Sequence, residues 1–248
     1  MQLLSHANPK TQKSVEHGYL TFILHLAPHT SAGMTTVCPG ASPGCIAACL
    51  NLAGRGGMMA AGQTTNRVQI ARINRTQFLL KYPDAFMDQL AVEINSAIAT
   101  ATRAGLIPCF RLNGTSDLRW RKLTIPSMGG LNVFDAFPTV QFYDYTAVLD
   151  SASLTFSNYH LTFSQKENNS AQVAKAMLMG MNIATVFDIG KRDALPANHL
   201  GRPVISFDDH DLRFLDPVGV VGGLRIKGWG KIVNAARSYN FAIPIQPV

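Results

Sequence analysis

The chain has 248 residues, 47% of them hydrophobic and only 15% charged, with a formal net charge of +7. That profile excludes a disordered chain and predicts one large buried core, and the length suits a single domain spanning 1–248. No apolar run approaches the ~18 residues that cross a bilayer, and four cysteines are too few for a disulfide scaffold.

The amino-terminus lacks a basic segment followed by an apolar core, so no secretion signal is read and a reducing cytoplasm is expected. The first predicted strand is Gly18 to Leu26, rich in Tyr, Phe, Ile and Leu. A turn-forming stretch of Pro, Gly, Ser and Thr follows from Pro28 to Pro43 and carries the first cysteine. Helical spacing of apolar residues predicts helices over Thr64 to Lys81 and, opened by Pro83, over Asp84 to Ala104. Short apolar strands are then predicted at Ile107 to Leu112, Thr139 to Tyr143, Tyr159 to Phe163, Ile183 to Phe187 and Pro203 to Phe207. A sixth is placed at Val218 to Ile226, and a helix at Ser170 to Met179.

Apolar strands alternating with helices predict an α/β fold with a parallel sheet covered on both faces. We expect a full or partial (β/α) barrel. Several strands run into polar residues, among them Asn113, Asp117, Asp144, Tyr145, Ser164, Gln165, Asp188 and Asp208. Active sites of such folds are built at the carboxyl ends of strands, although any strand must also end in a polar turn.

The segment Cys38-Pro-Gly-Ala-Ser-Pro-Gly-Cys45-Ile-Ala-Ala-Cys49 places three thiols within twelve residues, in a C-x6-C-x3-C arrangement. Thiolates select zinc, Cu(I) or iron–sulfur clusters. The Pro-Gly pairs let the loop fold back, and Cys45 and Cys49 share a face if a helix begins there. Three ligands leave a coordination position free, whereas a closed zinc site normally has four. Cys38, Cys45 and Cys49 are therefore the expected metal ligands. Cys109, in mid-strand, reads as a small core residue rather than a fourth ligand, and His25, His29 and His160 as structural histidines.

Charge is uneven. Residues 1–125 carry 12 Lys/Arg against 5 Asp/Glu, whereas residues 126–248 carry 10 of each. A basic half fits a phosphate-bearing partner such as nucleic acid or a nucleotide, and equally a solvated, Arg-rich helix face. Arg55, Arg67 and Arg72 are candidates to bind phosphate or carboxylate. Arg111 either points into the cavity or pairs with an Asp. The run Phe207-Asp208-Asp209-His210-Asp211, with Asp216 beyond it, reads as a divalent-cation site or as a cap and turn.

The run Thr36 to Asn51 resembles the bacteriophage "gene product 88" family, as do Arg111-Leu-Asn-Gly-Thr-Ser-Asp117, Phe142-Tyr-Asp-Tyr145 and Tyr159 to Ser164. Its cysteine loop is similar to phage proteins placed near the radical S-adenosylmethionine enzymes. In those enzymes three cysteines after the first barrel strand hold a [4Fe–4S] cluster that binds S-adenosylmethionine. Their usual spacing is C-x3-C-x2-C. The resemblance implies an iron–sulfur enzyme working in the host cytoplasm. It implies that Asn113, Gly114, Ser116 and Ser164 face the cosubstrate, and that Asp117, Asp144 and Asp188 are the catalytic or anchoring carboxylates.

Two other readings remain open. One is a barrel transglycosylase that modifies a base in DNA or RNA, suggested by Gly222-Gly223-Leu224 and the strand-end Asp residues. The other is a non-catalytic, zinc-containing nucleic-acid-binding protein, suggested by the basic half.

Overall fold

The computed structural model describes residues 1–6, 9–52, 54–59, 62–228 and 230–245, with the side chains of 9–11 left aside. In chain order the elements are β1 (Leu4–Ser5), α1 (Pro9–Val15), β2 (Tyr19–Leu24), α2 (Pro43–Ala47), α3 (Arg67–Lys81), α4 (Pro83–Arg103) and β3 (Ile107–Arg111). A small hairpin, β4 (Thr124–Ile125) and β5 (Leu131–Asn132), and α5 (Val133–Ala136) precede β6 (Gln141–Thr146) and β7 (Tyr159–Ser164). Then come α6 (Ser170–Leu178), β8 (Ile183–Phe187), β9 (Asn198–His199), β10 (Arg202–Ser206), β11 (Val221–Arg225) and α7 (Gly230–Ser238).

Nine strands form one sheet in the order β1-β2-β3-β6-β7-β8-β11-β10-β9. The seven inner strands are parallel, and only the short edge strands β1 and β9 pair antiparallel. Sequential order breaks once, where β11 enters between β8 and β10. The sheet is open, so the expected full barrel is corrected: β1 and β9 end it as edges rather than pairing with each other.

Alternation along the strands assigns two faces. One carries Phe22, Phe110, Phe142 and Tyr159, neighbours in register across four strands. Phe110 lies 5.4 Å from Phe22 and 5.5 Å from Phe142, ring centre to ring centre. These residues join the main core with the buried face of α4, namely Phe86, Leu90, Ile94, Ala97 and Ala101. The spacing of that face explains the helix, Pro83 at its first turn starts it, and Asp84 suits the positive end of its dipole. Asn66 starts α3 by accepting the amide of Gln69.

The opposite face carries Tyr19, Thr21, Cys109, Arg111, Tyr143 and Tyr145, and the segment 207–216 covers it. Phe214 meets the rings of Tyr19 at 5.1 Å and Tyr143 at 5.4 Å, and Leu212 packs with Cys109 and Tyr143. Arg213 is fully buried, its guanidinium 3.7 Å above the centre of the Phe207 ring, and it pairs with Asp216 at 3.3 Å.

Three of the four carboxylates read as a cation site are thus committed to ion pairs: Asp208 with Arg225 and Lys227, Asp211 with Arg111, Asp216 with Arg213. Packing also accounts for both glycines of Gly222-Gly223. A Cβ on Gly222 would lie 1.9 Å from the Phe207 ring, and one on Gly223 would lie 2.7 Å from Leu195.

Gly222→Ala is therefore expected to force Phe207 from beneath Arg213 and to destabilise the fold by roughly 1–3 kcal/mol, as overpacking does. The midpoint of urea unfolding reads this directly, and an unchanged midpoint would show that Phe207 does not fill that space.

Candidate metal centre and cavity

The chain leaves β2 and crosses the carboxyl ends of the parallel strands as the loop 25–42. Two contacts bind that loop to the 113–117 loop after β3: Thr115 Oγ1 donates to Leu26 O at 2.6 Å and the Asp117 amide to Val37 O at 2.9 Å. At its far side the cysteine loop is fastened to the residues after β7. Glu167 accepts from Ser42 Oγ at 2.8 Å and from the Gly44 amide at 2.7 Å, and Lys166 Nζ donates to Gly40 O. Ser42 also caps α2 by accepting the Cys45 amide at 3.2 Å. Gly44 is needed for this approach, since a Cβ there would lie 2.8 Å from Phe241 and 2.9 Å from Glu167.

Cys38, Cys45 and Cys49 are all free thiols, and all three line one cavity of about 280 Å³. The Cys38 sulfur accepts the His29 amide at 3.2 Å, and the Cys49 sulfur the Asn51 amide at 3.5 Å. Burial raises all three thiols, Cys38 to about 12; Cys38 is raised further by Cys49, Asp117 and Cys45, Cys49 by Cys45, and Cys45 by Asp117 and Glu167. Opposing this are the amide donors from His29 and Asn51, Lys166 beside Cys45 and Arg72 beside Cys49. Among the described residues no group of three or more His, Cys, Asp or Glu side chains is drawn together tightly enough to hold a metal ion. The three sulfurs share a cavity wall without forming a closed coordination shell.

The residues expected beside the cosubstrate divide. Asn113, Gly114, Ser116, Asp117 and Ser164 all line this cavity. Asn113 Oδ1 is committed to the loop it starts, accepting from Ser116 Oγ, the Leu118 amide and Trp120 Nε1 at 2.9, 2.9 and 3.0 Å. Gly114 lies so close to β2 that a Cβ would meet Leu24 O at 2.7 Å. The Asp117 carboxylate accepts from Thr146 Oγ1 at 2.7 Å and from the Ala147 amide at 2.9 Å. Burial nonetheless raises its pKa.

Two carboxylates of the expected set lie elsewhere. Asp144 is fully buried on the helix-facing side, taking the Asn113 amide at 2.7 Å and the Tyr159 hydroxyl at 3.1 Å. Asp188, at the end of β8, pairs with Arg237 at 2.9 Å and is not part of the cavity wall. Cys109 is a core residue 3.2 Å from Thr21, apart from the other three thiols. Among the candidate arginines, Arg55 and Arg67 are exposed, whereas Arg72 donates to Asn51 at 2.5 Å.

Sequence reasoning missed Lys166, Glu167, Arg225, Lys227 and Phe241. Lys166 and Glu167 follow directly on a recognised strand end, which is the signal that could have found them. Phe241 comes from the segment after α7, where Ile243 pairs with the end of β8.

The family model for Gene product 88 matches residues 2–243. The chain belongs to that bacteriophage family. No curated protein and no solved structure matches it. Among the described residues no helix is long and apolar enough to cross a membrane.

Burial lifts Asp144 to about 7, whereas an unfolded Asp ionises near 3.9. The proton held by the folded state contributes stability that is complete below about pH 4 and is lost as the pH rises through about 7. Asp144→Asn is expected to remove that slope, ~1.4 kcal/mol for each pH unit in this window. Urea unfolding of both proteins at several pH values between 4 and 7 reads the difference, and parallel curves would show that Asp144 ionises normally.

Proposed function

We propose that this protein is an iron–sulfur enzyme similar to the radical S-adenosylmethionine enzymes, with Cys38, Cys45 and Cys49 as the ligands of a [4Fe–4S] cluster. The observation that carries this reading is that three free cysteines line the same cavity as the 113–117 loop, over the carboxyl ends of a parallel sheet.

The donor chemistry suits the group, and the three sulfurs would draw closer together than they stand in order to hold it. Three soft sulfurs are available, two already accept backbone amides, and the thiols lie beside Lys166 and Arg72. Amide donors and nearby cations favour thiolates, the form that binds metal. When bound, such a cluster supplies reductive cleavage of the sulfonium of S-adenosylmethionine to give a carbon radical.

The chain's own part is to bind, orient and exclude water. Ser42 and the α2 backbone fix the position of Cys45, while the Glu167 clamp holds the cysteine loop over the strand ends. Asp117, Gly114 and Thr115 line the same cavity as the cysteines, with the Thr115 carbonyl 3.8 Å from the Cys38 sulfur, and would offer polar groups to a cosubstrate there. Ala41, Ala48, Val186, Leu224 and Phe241 make much of the wall apolar, which keeps bulk water from a reactive intermediate. Nucleic acid or a nucleotide is the substrate class that the basic amino-terminal half favours.

Protein purified without oxygen should contain about four irons and four sulfides per chain, with broad visible absorption. Replacing Cys38, Cys45 or Cys49 by Ala should abolish both, and Cys109→Ala should leave them unchanged. Stoichiometric zinc with salt-dependent DNA binding would instead support the binding-protein reading, and a preparation without metal would overturn both.

A further inference from the structure

We propose that the floor of the cavity binds an oxyanion, the carboxylate or phosphate of the substrate, through the Nε–Nη2 edge of Arg111. The inference rests on the reading that this cavity is a substrate site, and it specifies the chemistry of what enters.

Arg111 is the last residue of β3 and lines the cavity while only 8% exposed. Its Nη1 donates to Asp211 Oδ2 at 2.8 Å, and its guanidinium carbon lies 4.7 Å from the centre of the Tyr145 ring. The ion pair and the ring together fix the plane of the group. Nη1 is the nitrogen on the same side as Cδ, so the pair with Asp211 leaves the opposite edge, where Nε–H and Nη2–H run parallel. That edge matches two oxygens of one carboxylate or phosphate. Nε is buried and has no hydrogen-bond partner among the described residues. A buried cationic donor without an acceptor calls for one from a ligand or from ordered water.

The charge of the wall favours a ligand. Besides Arg111, the cavity is lined by Lys166, Arg225 and Lys227, against the single carboxylate of Asp117. Arg225 and Lys227 are steadied by Asp208 and stand above the floor. Asp211 and Asp208 offset part of that charge, and the positive excess that remains attracts an anion.

The test is nuclear magnetic resonance of arginine Nε–H groups in the full-length chain, titrated separately with inorganic phosphate and with succinate. The Arg111 signal, assigned by its disappearance in Arg111→Lys, should move saturably with at least one probe. Which probe moves it distinguishes phosphate from carboxylate. Arg111→Lys retains a cation for Asp211 but loses the planar fork, and should weaken binding of the responding anion, read for both proteins by isothermal titration calorimetry, at least about tenfold. A signal indifferent to both anions would mean that water satisfies Nε and would overturn the proposal, whether or not the variant folds. Equal binding by wild type and Arg111→Lys would do the same. The measurement needs no metal: an anion response in iron-free protein removes only the cluster reading, and iron without an anion response removes only this one.

Discussion

The carboxylate of Glu167 is the contact on which the arrangement of the cysteines depends. It receives the hydroxyl of Ser42 and the amide of Gly44, so it holds the first turn of α2 from outside while Ser42 caps that turn from within. Charge-assisted bonds of this kind are about twice as strong as neutral ones. A five-residue helix has no stability of its own, and α2 persists because it is capped, clamped and pressed against the segment after α7. Cys45 and Cys49 take their positions from it. Cys38 is set from the other side, where the loop is stitched to the residues after β3. The cysteine loop is therefore held at both ends of its path across the sheet.

The segment 207–216 solves a different problem. A curved parallel sheet has an inner face that a closed barrel would fill with side chains from every strand. Here the sheet stays open, and a segment with only one short 3₁₀ turn, Arg213–Leu215, supplies the filling: Phe207, Leu212 and Phe214 as bulk, Asp211, Arg213 and Asp216 as paired charges. Buried charges are tolerated when paired: Arg111 and Asp211 are hydrogen-bonded at 2.8 Å, whereas Arg213 and Asp216 make a looser contact at 3.3 Å. The filling stops at Arg111 and Tyr145, and above that level the inner face opens as the cavity. The depth of the site is thus set by the plug rather than by the strands.

Much of this was legible in the sequence. The inner strands and α3, α4 and α6 lie within a few residues of their expected bounds, because β-branched runs and helical spacing of apolar residues report burial directly. Elements β1, α1, β9 and α7 were not legible: they are short or weakly patterned, and tertiary contacts hold them. The strand-end carboxylates misled because Asp117 and Asp144 look alike in sequence. Alternation carried the missing information. Asp144 shares parity with Phe142, which packs beneath the helices, whereas Tyr143 and Tyr145 point to the other face. The partners of Asp208 and Asp211 were out of reach for another reason. Arg225 and Arg111 lie 17 and 100 residues away, and no local pattern announces an ion pair across that separation.

The protonation of the cysteines constrains what the cavity can hold. Burial, with neighbouring thiols and carboxylates, raises the three thiols, and backbone hydrogen bonds with two flanking cations reduce that tendency without cancelling it. A partner that draws off three protons must bring substantial positive charge of its own. A multivalent metal centre meets that requirement, and a neutral ligand does not. The same desolvation that raises the thiols also strengthens every electrostatic contact inside the wall, from Asp117 among its polar neighbours to the buried guanidinium at the floor. A largely apolar wall, three thiols and a buried cation therefore come together through one feature, the roofing of an open parallel sheet by a clamped cysteine loop.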